Sequence, residues 1–350
     1  MRHNKIFEIT DASDVGRLRR AVVDMAKTEG LSDESCGKLA IISNEISTNI
    51  LKHSKAKGDV IIRKINTENA MAFEMIGIDK GVGIKNINNA IKDGYSTAGS
   101  SGSGLGAIKR LSDDFDIFSN LNNGTAILSR VYHNKSLINI EKENLNNSGV
   151  ISIQKPGQEI CGDDWCIEKY KDKILILIVD GLGHGYGAYK ASHQAVSFFR
   201  NNINLNIEDL IFKLDEDLIG TRGAVLSIAS IDLKNNNMHY VGVGNISAKI
   251  ISGSKHQSLI SFDGMVGGNL LNVKKFSYDL PENSILVMNT DGLRQNITLE
   301  GYPGLLNKSA SLISSVLYRD NVRGNDDSAI IVFKNVKERR NLFEDNHSSN

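Results

Sequence analysis

The sequence predicts an α+β protein built as two domains. Its 350 residues suffice for two domains of ordinary size, each with its own hydrophobic core. A first half that mixes long helical patterns with strand patterns precedes a second half of short apolar runs bounded by Gly, Asn and Asp. Between them the polar stretch NKSLINIEKENLNNSG has no sustained period. We therefore predict domains at 1–133 and 149–336, a linker at 134–148 and a polar tail at 337–350.

The overall composition argues against several classes of partner. Lys+Arg and Asp+Glu number 41 each, so no global field attracts nucleic acid or a membrane surface. The longest aliphatic run, Ile174 to Val179, is far too short to cross a bilayer, and the first residues have no apolar core of signal-peptide length. Three cysteines, an odd number with a closest spacing of C-x4-C, fit neither a disulfide framework nor a zinc site. We expect a soluble, cytoplasmic protein with reduced thiols.

Two helices open the first domain. Apolar spacing predicts one helix capped by Ser13 and ended by Gly30. Ser32 is the predicted N-cap of a second helix that runs to about His53. Strands are predicted at Asp59–Ile65 and Ala70–Ile78, followed by a strand pair that turns at Asn123-Gly124. The pattern favours helices packed on one mostly antiparallel sheet.

The second domain has the pattern of a β-rich fold with a few helices. Helices are predicted at 187–201 and 207–219. The predicted strands are the apolar runs at 174–179, 224–231, 238–244, 284–289 and 329–333.

A glycine-rich loop, SGSGLGAIKRL at 101–111, precedes a helical pattern. Its spacing fits a dinucleotide-binding loop, but that motif follows a strand, and the preceding IKDGYSTAGSS is not one. Helical spacing puts Glu45, Asn49 and His53 on one stripe, where an amide and a carboxylate can share a magnesium ion and a reacting hydroxyl. Further on, the Asp79 carboxylate can accept a hydrogen bond from an exocyclic amine. A hydroxyl at Thr125 can complete that contact.

Four segments in order, NEISTNILKH, DKGVGI, GSGLGAIKRL and NGTAIL, resemble the N, G1, G2 and G3 boxes of the GHKL (Bergerat-fold) ATPases over about residues 5 to 132. Among these the chain looks most like serine kinases that act on STAS-domain proteins in stressosome pathways. The resemblance implies a Bergerat-type α/β sandwich that binds ATP with Mg²⁺. It implies that Asn49 binds the magnesium, Glu45 is the catalytic base or orienter and Asp79 reads the adenine. The other implied nucleotide-binding residues are Gly81, Gly83, Gly102, Gly104, Leu105, Gly106 and Thr125.

Acidic residues recur at strand ends in the second domain. Asp180 ends the run ILILIV, Asp291 follows SILVMN, and the pairs Asp163-Asp164 and Asp326-Asp327 lie beside further strand patterns. Carboxylates without Cys or His at ligand spacing indicate an oxygen site suited to Mg²⁺ or Mn²⁺. Two such ions about 3.5–4 Å apart can direct water at a phosphorus atom.

These motifs, GDDW, VDGLGHG, NTDGL and NDDSAIIV, resemble those of the metal-dependent serine phosphatases of the SpoIIE type over about residues 149 to 334. The resemblance implies a β-sandwich flanked by helices that binds two Mn²⁺ or Mg²⁺, with Asp180 catalytic. The implied metal ligands are Asp163, Asp180, the Gly181 carbonyl, Asp291 and Asp326. We interpret His184 as structural, and Asp164 and Asp327 as neighbours of the ligands.

Together the two resemblances predict one chain with both arms of a phosphorylation cycle. Its expected partners are STAS-domain antagonist or scaffold proteins, phosphorylated on Ser or Thr, with a downstream phosphatase or sigma-factor regulator as a further candidate. Two alternatives stay open: the first domain senses nucleotide without turning it over, or it docks a sigma factor or STAS protein stoichiometrically.

Overall fold

The computed structural model describes residues 4–54, 57–66, 71–92, 104–133, 146–268, 270 and 273–336. Within these ranges the strands form three five-stranded sheets, whose neighbouring strands are all antiparallel. Together with the helices they confirm the predicted α+β class. No helix in the described ranges combines the length and apolar character needed to span a membrane. The predicted tail, and the linker up to residue 145, lie outside the described residues.

The first sheet has the strand order β1-β2-β3-β5-β4. Its strands are β1 (Lys5–Ile9), β2 (Gly58–Asn66), β3 (Met71–Asp79), β4 (Asp114–Ser119) and β5 (Thr125–Tyr132). Gly124 has a φ of 82° in the turn between β4 and β5, the left-handed conformation that glycine adopts without cost. The predicted strands and their antiparallel pairing are confirmed.

Helices cover one face of this sheet: α1 (Ala12–Thr28), α2 (Asp33–His53), a short α3 (Ile87–Ala90) and α4 (Gly104–Leu111). Ser32 caps α2 as predicted, since its side chain accepts a hydrogen bond from the Ser35 N–H. The predicted Ser13 cap of α1 is wrong. Asp11 is the N-cap, because its carboxylate accepts from Ser13 while Asp14 bonds back to the Asp11 N–H in a capping box.

The second half contains two stacked sheets. One has the order β13-β10-β9-β8-β7 and the other β12-β11-β14-β15-β6. Their strands are β6 (Ser148–Ile153), β7 (Asp163–Tyr170), β8 (Lys173–Gly181), β9 (Ala224–Asp232), β10 (Asn237–Val243), β11 (Ser247–Ser252), β12 (Lys255–Ser258), β13 (Phe276–Asp279), β14 (Ser284–Asn289) and β15 (Ser328–Asn335). Apolar side chains of both sheets form the core between them. The helices α5 (Tyr186–Asn201) and α6 (Ile207–Asp217) pack on the outer face of the sheet that contains β7 to β10. The two predicted helices are confirmed, the second ending two residues early.

A helix that the sequence patterns did not predict, α7 (Ala310–Asn321), lies between the two halves of the molecule. One hydrophobic cluster joins its side chains to Ile76 and Leu128 of the first sheet and to Ile151 and Val332 of the third. Ten consecutive residues of α7, 310 to 319, are buried. The layers therefore run from α1 and α2 through the first sheet, α7 and the stacked sheets to α5 and α6.

Candidate functional site

The α2 face brings two of the predicted nucleotide-binding residues to the start of α4. A Cβ built on Gly104 would lie 3.1 Å from Oε2 of Glu45 and 3.3 Å from Oδ1 of Asn49. Nδ2 of Asn49 is buried and has no hydrogen-bond partner among the described residues. A helix N-terminus presents free N–H groups, so a phosphate held there would lie next to an amide and a carboxylate.

Asp79 lies at the end of β3, near the C-terminal end of α2. Its Oδ1 accepts a hydrogen bond of 2.7 Å from the N–H of Gly81. Burial raises the pKa of Asp79, although this hydrogen bond and the positive charge of Arg319 work in the opposite direction. Gly81 is packed so closely that an added Cβ would lie 2.6 Å from the carbonyl oxygen of His53.

Other predicted nucleotide-binding residues have different surroundings. Gly102 lies outside the described residues. Leu105 packs against the hydrophobic core between the first sheet and its helices, and Gly106 is buried. The Thr125 hydroxyl bonds to Ser119 at 2.9 Å. His53, the third residue of the predicted stripe, is exposed at the end of α2.

The second candidate site is a cleft of about 360 Å³ at the end of the stacked sheets. Asp180, Asp291 and Asp326 line it, together with His184 and Asn245. Asp163 is the cross-strand partner of Asp180 in the β7–β8 pair, which brings the fourth predicted carboxylate to the same end of the sheet. The carboxylates share this cleft, but within the described ranges no three His, Cys, Asp or Glu side chains lie close enough together to coordinate one metal ion.

Burial and mutual repulsion together determine the electrostatics of this cleft. Burial, together with the charges of Asp291, Asp326 and Asp327, raises the pKa of Asp180 to about 7. Burial and the neighbouring Asp180 likewise raise the pKa of Asp163 well above its usual range. A group of partly buried carboxylates that resists ionisation is suited to bind divalent cations.

Two residues that the motif patterns did not single out hold two of these carboxylates in place. The Thr290 hydroxyl donates to Oδ2 of Asp163 at 2.7 Å, and Nδ2 of Asn245 donates to Oδ2 of Asp291 at 2.9 Å. Asp327, which the motif match left as a neighbour, accepts from the Lys155 N–H and has its buried Oδ2 without a partner among the described residues. An unpartnered carboxylate oxygen beside an acidic cleft fits a site for a divalent cation.

Two glycines beside the cleft allow the backbone to pack closely against neighbouring backbone segments. A Cβ on Gly181 would lie 2.1 Å from the carbonyl oxygen of Ala188, and a Cβ on Gly292 would lie 1.9 Å from that of Asp327. His184 is exposed, and its carbonyl oxygen accepts a hydrogen bond of 3.3 Å from Arg222 at the rim.

Comparison with known proteins divides the chain at the same place as the sheets. Residues 9–130 match the family model "Histidine kinase-like ATPase domain", and residues 170–335 match "Stage II sporulation protein E (SpoIIE)". Asp163 lies outside the second match, whereas Asp180, Asp291 and Asp326 lie inside it.

Two Bacillus subtilis (strain 168) proteins are similar to different parts of the chain. Serine/threonine-protein kinase RsbT is 30% identical over 121 residues, which cover 35% of this chain and 86% of RsbT. Phosphoserine phosphatase RsbX is 25% identical over 158 residues, which cover 45% of this chain and 79% of RsbX. A solved structure from work on "The bacterial stressosome: a modular system that has been adapted to control secondary messenger signaling" aligns with a TM-score of 0.50 at 24% identity. That alignment covers 53% of this chain and 97% of the solved chain.

Proposed function

Because this chain belongs to the RsbT-like histidine kinase-like ATPases in its first domain and carries a SpoIIE-type phosphatase domain as its second, we propose that it both phosphorylates and dephosphorylates a STAS-domain protein. The phosphoryl group would move from ATP to a Ser or Thr hydroxyl and later to water. The observation that carries this proposal is that each half of the chain gathers its own set of reactive side chains. Glu45 and Asn49 meet the start of α4, and the Asp carboxylates share one cleft.

In the kinase arm, Asp79 would accept a hydrogen bond from the adenine amine, and the N–H groups at the start of α4 would bind phosphate oxygens. Asn49 would contribute its amide oxygen to the magnesium that accompanies ATP. Glu45 would accept the proton of the attacking hydroxyl, since its carboxylate is adjacent to the helix start where the phosphates would lie.

In the phosphatase arm, Asp163, Asp180, Asp291 and Asp326 would hold the divalent cations, with the Gly181 carbonyl as a further ligand. The unpartnered Oδ2 of Asp327 and the raised pKa of Asp180 support this assignment, since both are explained by a site made for cations. Divalent cations bound there would supply the Lewis acidity for hydrolysis of a phosphoester. Thr290 and Asn245 would keep two of the carboxylates in position.

Intact mass spectrometry of a STAS-domain protein encoded beside the gene tests both arms. The full chain with Asp180→Asn, which should lack phosphatase activity, is mixed with Mg-ATP and that protein. We expect the mass of one phosphoryl group to be added, and the wild-type chain with Mn²⁺ to remove it. Glu45→Gln in the same background should abolish transfer and still bind ATP. Glu34→Gln, on the same helix but in an exposed pair with Lys38, is the matched control.

A different result would favour one of the alternatives. If ATP binds and the mass never changes, the first domain is a sensor or a docking module, and only the phosphatase assignment remains. A stable complex with the STAS-domain protein whose lifetime is independent of ATP would favour docking. If the wild-type chain with Mn²⁺ leaves a phosphorylated STAS-domain protein unchanged, the phosphatase assignment for this substrate class is wrong.

A further inference from the structure

The helix between the two halves ends beside the nucleotide site. Nη1 of Arg319, in the last turn of α7, donates a hydrogen bond of 3.0 Å to the carbonyl oxygen of Asp79. The contact joins residues 240 positions apart in the chain and crosses from the phosphatase half to the ATPase half. A residue of one domain therefore contacts the residue that would read the adenine in the other.

Arg319 is held rigidly in this position. Its side chain is only 4% exposed, and its Nε and Nη2 donate to the two carboxylate oxygens of Asp320 at 2.9 and 2.7 Å. The Tyr302 hydroxyl in turn donates to Asp320 at 3.1 Å. A planar guanidinium held by a bidentate pair presents its remaining donor in one direction, which here is toward Asp79.

The Asp79 carbonyl has little freedom to move away from Arg319. On its other side Gly124 approaches so closely that an added Cβ would lie 1.9 Å from the carbonyl oxygen. The charge of Arg319 also lowers the pKa of Asp79 against the raising effect of burial, and so favours the ionised carboxylate that accepts hydrogen bonds. Arg319 thus influences both the position and the charge state of Asp79.

The residues that follow Arg319 are hydrogen-bonded to the loop 291–294 of the phosphatase half, called here the Asp291 loop. The carbonyl of Asn321 accepts from the N–H of Arg294, and the N–H of Arg323 donates to the carbonyl of Gly292, at 3.0 and 2.9 Å. Between these two bonds Val322 pairs with Leu293 in an isolated β-bridge. Gly292 directly follows Asp291, which lines the acidic cleft. One end of α7 therefore contacts both candidate sites.

We propose that Arg319 is a positioning residue for the nucleotide site, supplied by the phosphatase domain, and that it links adenine nucleotide binding at Asp79 to the Asp291 loop. The inference rests on the proposed nucleotide-binding function. It goes beyond that function because the ATPase domain alone would have an incomplete site. Coupling between two sites is reciprocal. If nucleotide binding alters the Asp291 loop, a change in that loop must therefore alter the affinity for nucleotide.

Calorimetric titration of the full chain with ADP in Mg²⁺ buffer tests the positioning role. We expect Arg319→Met to weaken ADP binding at least tenfold, and Arg319→Lys, which keeps the charge and one donor, to recover part of that loss. Lys308→Met is the matched control, since Lys308 is another basic side chain that joins the halves, through an ion pair with Asp116 at 3.2 Å. Its ADP affinity should remain within twofold of the wild type.

The only tryptophan of the chain reports on the linkage. Trp165 lies two residues after Asp163, whose carboxylate senses the charge of Asp291. Saturating ADP should change Trp165 fluorescence in the wild type and in Lys308→Met, and should leave it unchanged in Arg319→Met.

The outcomes separate this inference from the proposed function. Equal ADP affinity in the wild type, Arg319→Lys and Arg319→Met overturns the positioning role and leaves nucleotide binding intact. ADP binding without any fluorescence change in the wild type overturns the link to the Asp291 loop. Failure of the wild type to bind ADP overturns both the inference and the kinase proposal. If Arg319→Met does not fold, Arg319→Lys decides: a threefold or greater loss of affinity supports the positioning role, and wild-type affinity overturns it.

Discussion

Glu74 and Arg130 form a fully buried ion pair, with Nε of Arg130 2.7 Å from Oε2 of Glu74. Arg63 binds the other oxygen of Glu74 at 2.7 Å. Both guanidinium groups also donate to the Ser311 hydroxyl of α7, at 3.1 and 2.9 Å. Burial alone would raise the pKa of Glu74, but the charges of Arg63 and Arg130 outweigh it and lower the pKa. The contact between the halves thus contains a buried charged network as well as an apolar core.

Replacing Glu74 by Gln should strongly destabilise the protein. The substitution leaves the buried Arg63 without a counter-charge and Arg130 with only Asp114, 3.8 Å from its Nη1. Breaking a buried ion pair in this way typically costs about 3–5 kcal/mol. Chemical denaturation followed by circular dichroism measures the loss. The control is Glu29→Gln, in the half-exposed pair with Lys64, for which we expect about 1 kcal/mol or less. A similar loss in both variants would show that the network contributes no more than a surface pair.

The half-buried Asp59 should make stability depend on pH. Burial, together with Glu8 opposite it on β1, raises its pKa from 3.8 to about 6. A raised pKa means that the stabilising contribution is complete below pH 3.8 and is lost as the pH rises through about 6. Asp59→Asn should therefore be more stable than the wild type at pH 7.5, by at most about 3 kcal/mol, with no gain at low pH.

Thermal unfolding at several pH values between 4 and 8 measures this difference for Asp59. Glu8→Gln, which removes the second cause, should give an intermediate effect in the same direction. Parallel pH profiles for the wild type and Asp59→Asn would contradict the prediction.

Asn245 should tune metal affinity through Asp291. Loss of a hydrogen bond that orients a metal-binding carboxylate typically costs about 10–100-fold in affinity. We expect Asn245→Ala to raise the dissociation constant for Mn²⁺, measured by calorimetry without nucleotide, by that factor. Asn235→Ala, in an exposed turn with Asp232, is the control and should bind Mn²⁺ like the wild type. Wild-type Mn²⁺ affinity in Asn245→Ala would count against the assignment of Asp291 as a ligand.

Asp180→Asn should have opposite effects on stability with and without metal. Without divalent cations the variant removes one of several repelling carboxylates, so it should unfold at a higher temperature than the wild type at pH 8. With Mn²⁺ the wild type should gain more in unfolding temperature than the variant, because ligand binding stabilises the folded state. Asp172→Asn, in an exposed pair with Lys234, should match the wild type in both conditions. A lower unfolding temperature for metal-free Asp180→Asn would contradict this account.

Elements with one buried face could be predicted from the sequence. The boundaries and cap of α2 depend on local signals, namely an amphipathic stripe and Ser32. The cap of α1 was mispredicted because Asp11, Ser13 and Asp14 all have capping side chains, and only the backbone geometry selects Asp11. No amphipathic pattern predicts α7, because it is buried against sheets on opposite sides and its residues 310 to 319 present no face to solvent.

The residues of the candidate sites likewise fall into those that the sequence patterns predict and those that only the structure identifies. The carboxylates at 180, 291 and 326 follow or precede strand patterns and could be found by motif, as could Glu45 and Asn49 on α2. Thr290 lies inside the NTDGL motif, but neither it nor Asn245 is distinguished by a local pattern. What qualifies them is a hydrogen bond to a carboxylate 127 and 46 positions away, respectively. Their roles could be recognised only after folding.

By itself the sequence determined the fold class and the order of two motif sets, one resembling a nucleotide site and one a metal site, because these depend on local spacing and short-range chemistry. Only the tertiary structure decided that the halves share α7 and that Arg319 contacts Asp79. That contact is produced by the packing of two sheets on one helix, and no pattern within either motif records how surfaces 240 positions apart will fit. The relation between the two sites is therefore a property of long-range packing.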